Sequence, residues 1–292
     1  MAVQTSTIGQ MESASREMIS ALLFTTEHNM LMPGMVEKFT LKQGEDTGVF
    51  PKVGQMSMTS LAEGEDIVDS EDINLTSISV QTSEVGGKVI LTDKLLRHNA
   101  AVNFRTTGRQ LGDAAARRMD EDGVALFSGL NGGTDFGAAG FEFTAANAIG
   151  AIGFAKHNKM GNDLRIVHHP SSIFRLSRDL NVIGATTYQG QPLPNGFTAS
   201  RLQKFWTGIR LGSVPFFETG NIPIDAADDA IGAIFDRSAL GWLVSKGFGR
   251  ERQRDASLRA WELVIVADYA FFEHDDARGA PLTFDAAAPV ST

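Results

Sequence analysis

Apolar and small residues recur at helical spacing from about residue 99 to 128. Phe104, Gly108, Leu111, Ala115, Met119 and Leu126 keep one face largely apolar, and charges fall between them. The pattern predicts one helix about 40 Å long at ~1.5 Å per residue. Gly108, Gly112 and the Ala114–Ala116 run are small enough to admit another backbone closely. From about 36 to 91 the pattern changes to Thr, Val, Ile and Ser, which predicts strands. VEKFTLKQGEDTGVF and KVGQMSMTSL read as strands with a turn at Gly44-Glu45-Asp46. INLTSISVQTSEVGGKVILTD reads as one long strand or two, interrupted at Gly86-Gly87.

The remaining segments alternate in type. Residues 12–31 predict a short amphipathic helix with Met18, Leu22 and Leu23 on one side, and Pro33-Gly34 breaks the chain after it. SGLNGGTDFGAAGF is glycine-rich and irregular, AANAIGAIGFAKHNKM reads as a helix and DLRIVHHP as a strand. SSIFRLSRDL reads as a helix with Ser171 at its N-cap. Residues 184–200 read as a mobile loop, and RLGSVPFFE, AIGAIFD and LGWLV as short strands. LRAWELVIVADYAFF is apolar on both faces, which places it centrally in a sheet. That order predicts an α+β fold with discontinuous domains.

One strand pair is too long for the fold. Ile73 to Val85 alone extends about 43 Å at ~3.3 Å per residue, against a radius of gyration of about 19 Å for a compact chain of this length. With Ser and Thr where core residues should alternate, the hairpin reads as an arm that reaches outward. Its tip, LAEGEDIVDSED, holds Glu63, Glu65, Asp66, Asp69, Glu71 and Asp72 and no Lys or Arg. A solvated acidic loop is the ordinary meaning of such a run. The sharper one is a docking tip, and KGFGRERQRDASLR, with Lys246, Arg250, Arg252, Arg254 and Arg259, is the basic surface it would fit.

Composition narrows the function. The chain has 292 residues, a net charge of −9 and no cysteine, which removes disulfides and thiolate chemistry. The acidic balance and lack of a basic block argue against tight nucleic-acid binding. The N-terminal sequence lacks a basic region followed by an apolar block, so no secretory signal is expected.

The charged run in LGDAAARRMDEDGVALFSGL invites an acid–base or metal reading. Asp120 and Asp122, two apart on a helix, point about 200° from each other and cannot converge on one proton or ion. Asp113 with Arg117, and Arg118 with Asp122, are opposite charges at i,i+4, which favours a structural beam with a solvated face. His168 and His169, adjacent on a strand, face opposite ways. His274 and Asp276 share a face, but two ligands do not make a metal site. No phosphate loop, nucleophile elbow or metalloprotease motif is present. No cofactor, metal or catalytic residue is expected.

Several stretches, in order, resemble the tailed-bacteriophage major capsid proteins of the Hong Kong 97 fold. SVQTSEVGGKVILTDKLLRHNA resembles the returning strand of that family's extended loop, and RTTGRQLGDAAARRMDEDGVALFSGL its long spine helix. RIVHHPSSIFRLSRDL resembles the strand, turn and helix of its axial domain, and ERQRDASLRAWELVIVADYAFF its C-terminal strands. The resemblance implies an N-terminal arm over 1–35, an extended hairpin over 36–92, a peripheral domain from 93–143 with 230–292, and an axial domain over 144–229. Leu111, Asp113, Ala115, Arg117, Arg118, Met119 and Asp122 would lie on the spine helix.

It further implies self-assembly into hexamers and pentamers of an icosahedral shell, put together in the host cytoplasm. Its partners would be a scaffolding protein, a portal and packaged double-stranded DNA held without sequence specificity, with a decoration protein and a maturation protease as further candidates. No membrane is expected. Lys42, Lys52 and Lys88 lie in or beside the arm, but no motif singles one out for crosslinking. Two alternatives stand beside this: an encapsulin-like compartment shell, and a hydrolase using His168, His274 or Asp276. Portal and terminase genes nearby would favour the virus, a cargo-enzyme gene the compartment, and turnover lost on substituting His274 the hydrolase.

Overall fold

The computed structural model describes residues 31–53, 60, 63, 75–98, 104–185, 209–211 and 213–288. The helix expected within 12–31, the loop at 186–200 and most of the arm tip lie outside these residues. Two sheets dominate, and one helix runs along their junction.

The first sheet has four strands, ordered β1 (Glu37–Thr40), β10 (Leu240–Asp255), β11 (Ala260–Glu273) and β4 (Ser83–Thr92). β11 is flanked on both sides, as its two-faced apolar pattern predicts. β2 (Thr47–Val53) and β3 (Leu75–Gln81) form a separate antiparallel ribbon, the described part of the arm. The ribbon stands on Val80, Leu243 and Phe272, with Phe39, Phe50 and Ile78 packed around them. Phe50 stacks on Phe272 with ring centroids 4.6 Å apart.

The long strand breaks at Thr82, where the chain leaves the ribbon for the four-stranded sheet, and not at Gly86-Gly87. Both glycines stay in unbroken register with Val266 and Ile265. Their missing side chains serve a different end. A Cβ on Gly86 would lie 3.1 Å from the Ile265 carbonyl, and one on Gly87 3.5 Å from Leu111 of the long helix. The break expected at Pro33-Gly34 follows the helix within 12–31, and the residues before Leu31 lie outside the described ones. The pair sits inside a one-turn helix, α1 (Met32–Met35), where proline is tolerated because a first-turn N–H has no helical partner. Next, α2 (Asp93–His98) turns the chain toward the long helix.

That helix, α3, is described over Phe104–Val124, about 32 Å at ~1.5 Å per residue. It stops at Val124, short of the expected 128, and 3-10 turns over Phe127–Gly133 follow. Leu111, Ala115 and Met119, the expected apolar face, turn to the four-stranded sheet, Met119 against Ala267 and Tyr269. Of the two expected ion pairs only Arg118–Asp122 forms, at 2.9 Å. Asp113 Oδ2 and Arg117 Nε are buried without hydrogen-bond partners.

The larger correction concerns Asp120, expected on the solvated side and found 0% exposed. Its Oδ1 accepts from the backbone N–H groups of Leu31 (2.9 Å) and Met32 (2.8 Å). Its Oδ2 accepts from Thr219 Oγ1 (2.7 Å) and Asn221 Nδ2 (2.9 Å). One carboxylate thus fastens the helix to the chain entry and to a loop of the second sheet. Gly123, one turn on, has no side chain because a Cβ there would meet Met32 at 2.9 Å.

The second sheet has six strands, ordered β5 (Phe136–Gly137), β12 (Gly279–Asp285), β9 (Asp229–Asp236), β6 (Leu164–His168), β8 (Val214–Glu218) and β7 (Ile209–Leu211). It takes in β5, β9 and β12, from segments that the sequence assigned to the other domain. The boundaries at 143 and 230 are therefore not boundaries between sheets. The helix α4 (Ala145–His157) lays Ala145, Ala148, Ala151 and Ala155 on the core, small side chains that permit close approach. Asp179 of α5 (Pro170–Ala185) accepts from the Ala145 N–H at 2.7 Å, placing a carboxylate at the N-terminus of α4. Ser171 is not the N-cap of α5. Pro170 begins the helix, and His169 Nδ1 accepts from the Ser171 N–H at 3.2 Å.

His168 is a core residue. Its Nδ1 accepts from the His169 N–H at 2.9 Å, so Nε2 carries the proton and donates to the Leu282 carbonyl at 3.1 Å. The ring stacks on Phe143. Gly232 on β9 leaves the room, since a Cβ there would collide with the His168 ring and the Val167 carbonyl. Burial depresses the His168 pKa to about 3. The imidazole is therefore neutral, with both nitrogens already used.

Two outcomes follow from these contacts. Asp120→Ala strands several buried donors at roughly 1–3 kcal/mol each and should cost about 3–5 kcal/mol in denaturant unfolding of the purified chain, whereas Asp120→Asn should cost less. For His168 the unfolded pKa is near 6.5 and the folded one about 3, so its contribution is intact above pH 6.5 and is lost as pH falls toward 3. At ~1.4 kcal/mol per pH unit, lowering the pH from 7 to 5 should remove about 2 kcal/mol of stability through this residue. Comparing unfolding midpoints at the two pH values with those of His168→Gln checks this, the variant showing the shallower acid loss.

Candidate functional site

Three surfaces were singled out by the sequence: the arm, the spine helix and the basic strand. The arm leaves the body at Phe50 and Lys52 of β2. Lys52 Nζ reaches Asp275 Oδ1 at 2.5 Å, and Asp275 also accepts from Arg278 Nε at 2.9 Å. Despite its burial, Asp275 has its pKa lowered by these two cations, Lys52 foremost. His274 sits beside this ion pair with its ring against Phe39 and Phe50. Ring packing and a charge pair together fix the arm's point of departure. At the tip, Glu63 is exposed, while Glu65, Asp66, Asp69, Glu71 and Asp72 lie outside the described residues.

The basic strand is the distal half of β10. β1 pairs β10 only from Gly241 to Val244, so beyond Lys246 that edge has no strand neighbour among the described residues. Charged side chains on an open edge discourage indiscriminate strand pairing. Strand alternation sharpens the composition argument. It separates Arg252 and Arg254 from Glu251, Gln253 and Asp255, giving an arginine face and a more acidic one. The guanidinium carbons of Arg252 and Arg254 lie 4.8 and 5.2 Å from the Trp261 ring centroid. Arg254 also makes a bidentate pair with Asp93, at 2.6 and 2.7 Å, which lowers the Asp93 pKa. Arg254, expected to await a neighbour, thus has an intrachain partner. Arg250 follows on the same strand, opposite Ile265.

On the spine helix, Asp122 accepts from the Tyr269 hydroxyl at 2.9 Å and pairs with Arg118. Burial, followed by the Asp122 contact, raises the Tyr269 pKa. Asp120 and Asp122 therefore diverge, as their angular spacing requires. The importance of Asp120 was missed because charge density alone suggested solvent. A signal was present: its neighbours one turn on, Gly123 and Val124, are uncharged and continue the apolar face.

The hydrolase candidates do not converge. His168 is committed to the sheet core, and His274 to the aromatic base of the arm. Asp276 Oδ2 accepts from the Gly132 N–H at 3.0 Å. Among the described residues no group of three or more His, Asp or Glu side chains is arranged to hold a metal ion. Nor is any described helix long and apolar enough to cross a membrane.

Comparison with known proteins places this geometry. The family model for phage capsid protein matches residues 75–280, more than two thirds of the chain. No curated protein matches the sequence significantly. Among solved structures, the capsid of cyanophage P-SCSP1u superposes with a TM-score of 0.67 at 13% identity, covering 89% of each chain. A Mycobacterium phage Che8 structure gives 0.65 at 13% identity, over 87% of this chain and 91% of that one. The SrpI encapsulin complex of Synechococcus elongatus gives 0.60 at 10% identity, over 89% of each. At such identities the solved structures speak for fold alone, and the fold is the α+β Hong Kong 97-type capsid fold expected from the sequence. With the family match across spine helix and both sheets, the chain belongs to the phage capsid protein family and is a structural subunit of a virion's capsid shell.

Proposed function

We propose that the chain is the major capsid protein of a tailed bacteriophage and self-assembles, as hexamers and pentamers, into the icosahedral shell around double-stranded DNA. The family match over 75–280 carries this reading. The four-stranded sheet with α3 corresponds to a peripheral domain, and the six-stranded sheet with α4 and α5 to an axial domain. A scaffolding protein would set the curvature of the shell, and a portal would admit the DNA. The net charge of −9 suits a container that must not grip its contents. A decoration protein and a maturation protease are compatible with this scheme, but nothing in the chain requires them.

Within the shell, the acidic tip (Glu63, Glu65, Asp66, Asp69, Glu71, Asp72) is the element that meets a neighbouring subunit, and the arginine face of β10 (Arg250, Arg252, Arg254) is its complement. Arg254 already holds Asp93, so it would be shared or exchanged on docking. An encapsulin-like compartment is the second reading, favoured by the likeness to the SrpI shell, and the family match weighs against it.

Electron microscopy of the purified protein, alone and with a co-expressed scaffold, is the direct test. Closed shells are the expected result, and monodisperse monomers under both conditions would contradict it. Reversing Glu65, Asp66 and Asp69 to lysine should reduce shell yield severely while circular dichroism and unfolding of the unassembled chain stay unchanged. Normal shells from that triple variant would remove the arm-tip proposal.

A further inference from the structure

A groove of about 840 Å³ runs beside the C-terminal half of α3. Val124, Phe127 and Ile222 form its base and belong to the core cluster beneath it. Ile224 and Ile231 line the opening and are 42% and 39% exposed, high for isoleucines that face a ready-made apolar hollow. An open apolar surface of this kind marks a place where something binds.

The course of the chain indicates what binds there. Leu31, Met32 and Met35 pack on the same cluster as the groove base. The Leu31 and Met32 amides are held by Asp120. Asn221, which also bonds Asp120, is itself a groove residue. The described fold therefore begins beside the groove, and 30 residues precede it. Those residues include Met18, Ile19, Leu22, Leu23, Phe24 and Met30. From Leu31 back to Phe24 the chain can span up to about 25 Å at ~3.6 Å per residue, enough to lie along such a groove.

We infer that this groove is the seat of the chain's own segment ahead of Leu31, docked through apolar side chains between Met18 and Met30. Two arguments favour this occupant over a second copy. A tethered segment works at an effective concentration in the millimolar range, so modest apolar contact suffices, whereas a second copy must first offset the entropy of association. The groove lining also carries Glu121, Asp135, Asp225 and Asp229 against one cation, Arg117, a net negative charge that would repel the acidic tip at 61–72 of another subunit.

The absence of native cysteine makes a clean test available. Ile224→Cys is combined in turn with Leu22→Cys, Leu23→Cys and Phe24→Cys in the full-length, unassembled chain. Mild oxidation is followed by non-reducing electrophoresis and peptide mass spectrometry. An intrachain disulfide is expected with at least one partner position, forming about tenfold or more faster than with Ile149→Cys, an exposed control on α4, as tethered proximity requires. Crosslinks only between chains would assign the groove to a second copy and overturn the inference, as would no disulfide or rates equal to the control. In a second measurement, Ile224→Asp with Ile231→Asp should accelerate proteolytic trimming of residues 1–30 by about tenfold, because cleavage tracks the undocked population. Unchanged trimming would count against the docked segment. Neither readout requires shell assembly, so failure here is distinguishable from failure of the capsid reading.

Discussion

A carboxylate taken out of water must be surrounded by donors, and Asp120 is surrounded by four of them. Its donors come from segments far apart in the chain. Leu31 and Met32 lead directly into β1 and the four-stranded sheet. Thr219 and Asn221 lie in the loop between β8 and β9 of the six-stranded sheet. The carboxylate itself belongs to the long helix. The three main parts of the fold therefore meet at one side chain, and the cluster around Met32, Val124, Phe127, Phe235 and Leu240 closes over the junction. Arg165 of β6 adds a parallel tie by donating to the Met35 carbonyl at 3.0 Å.

Such a junction suits a shell subunit. A capsid protein has no substrate to orient; it must keep its shape while its outer surfaces meet other copies. The interior of this chain is correspondingly over-determined. Neighbouring strands approach closely at Gly86, Met32 fills the space left by Gly123, and the His168 ring occupies the space left by Gly232. By contrast, the outlying surfaces hold the free-standing features: a two-stranded ribbon, an open edge beyond Lys246 and an arginine face. Rigid centre and interactive margins are the physical content of the family assignment.

Much of the fold was legible in the sequence. The period of Leu111, Ala115 and Met119 located the helix and the face it buries, and the two-faced apolar run at 260–273 placed β11 in a sheet interior. What escaped depended on tertiary partners. Gly86-Gly87 carries the ordinary mark of a strand break, yet the pair stays in register, and a Cβ on Gly86 would press on the Ile265 carbonyl, far away in sequence. Pro33-Gly34 looks like a breaker, and the structure seats the pair in a single helical turn before β1. β12 was not anticipated, and the pairing of β9 between β12 and β6 was not legible, because strand partners are chosen by three-dimensional packing. The surface residues were less legible still: Arg254 read as basic and available, whereas a bidentate contact to Asp93 occupies it.

Asp120 locks the segment at Leu31 and Met32 into the rigid frame, and amide hydrogen exchange on the native protein measures that lock directly. The Leu31 and Met32 amides should exchange as slowly as the core amides of β11, opening only with the whole fold. Exchange of these two amides at the rate of an unstructured terminus, while β11 stays protected, would contradict it.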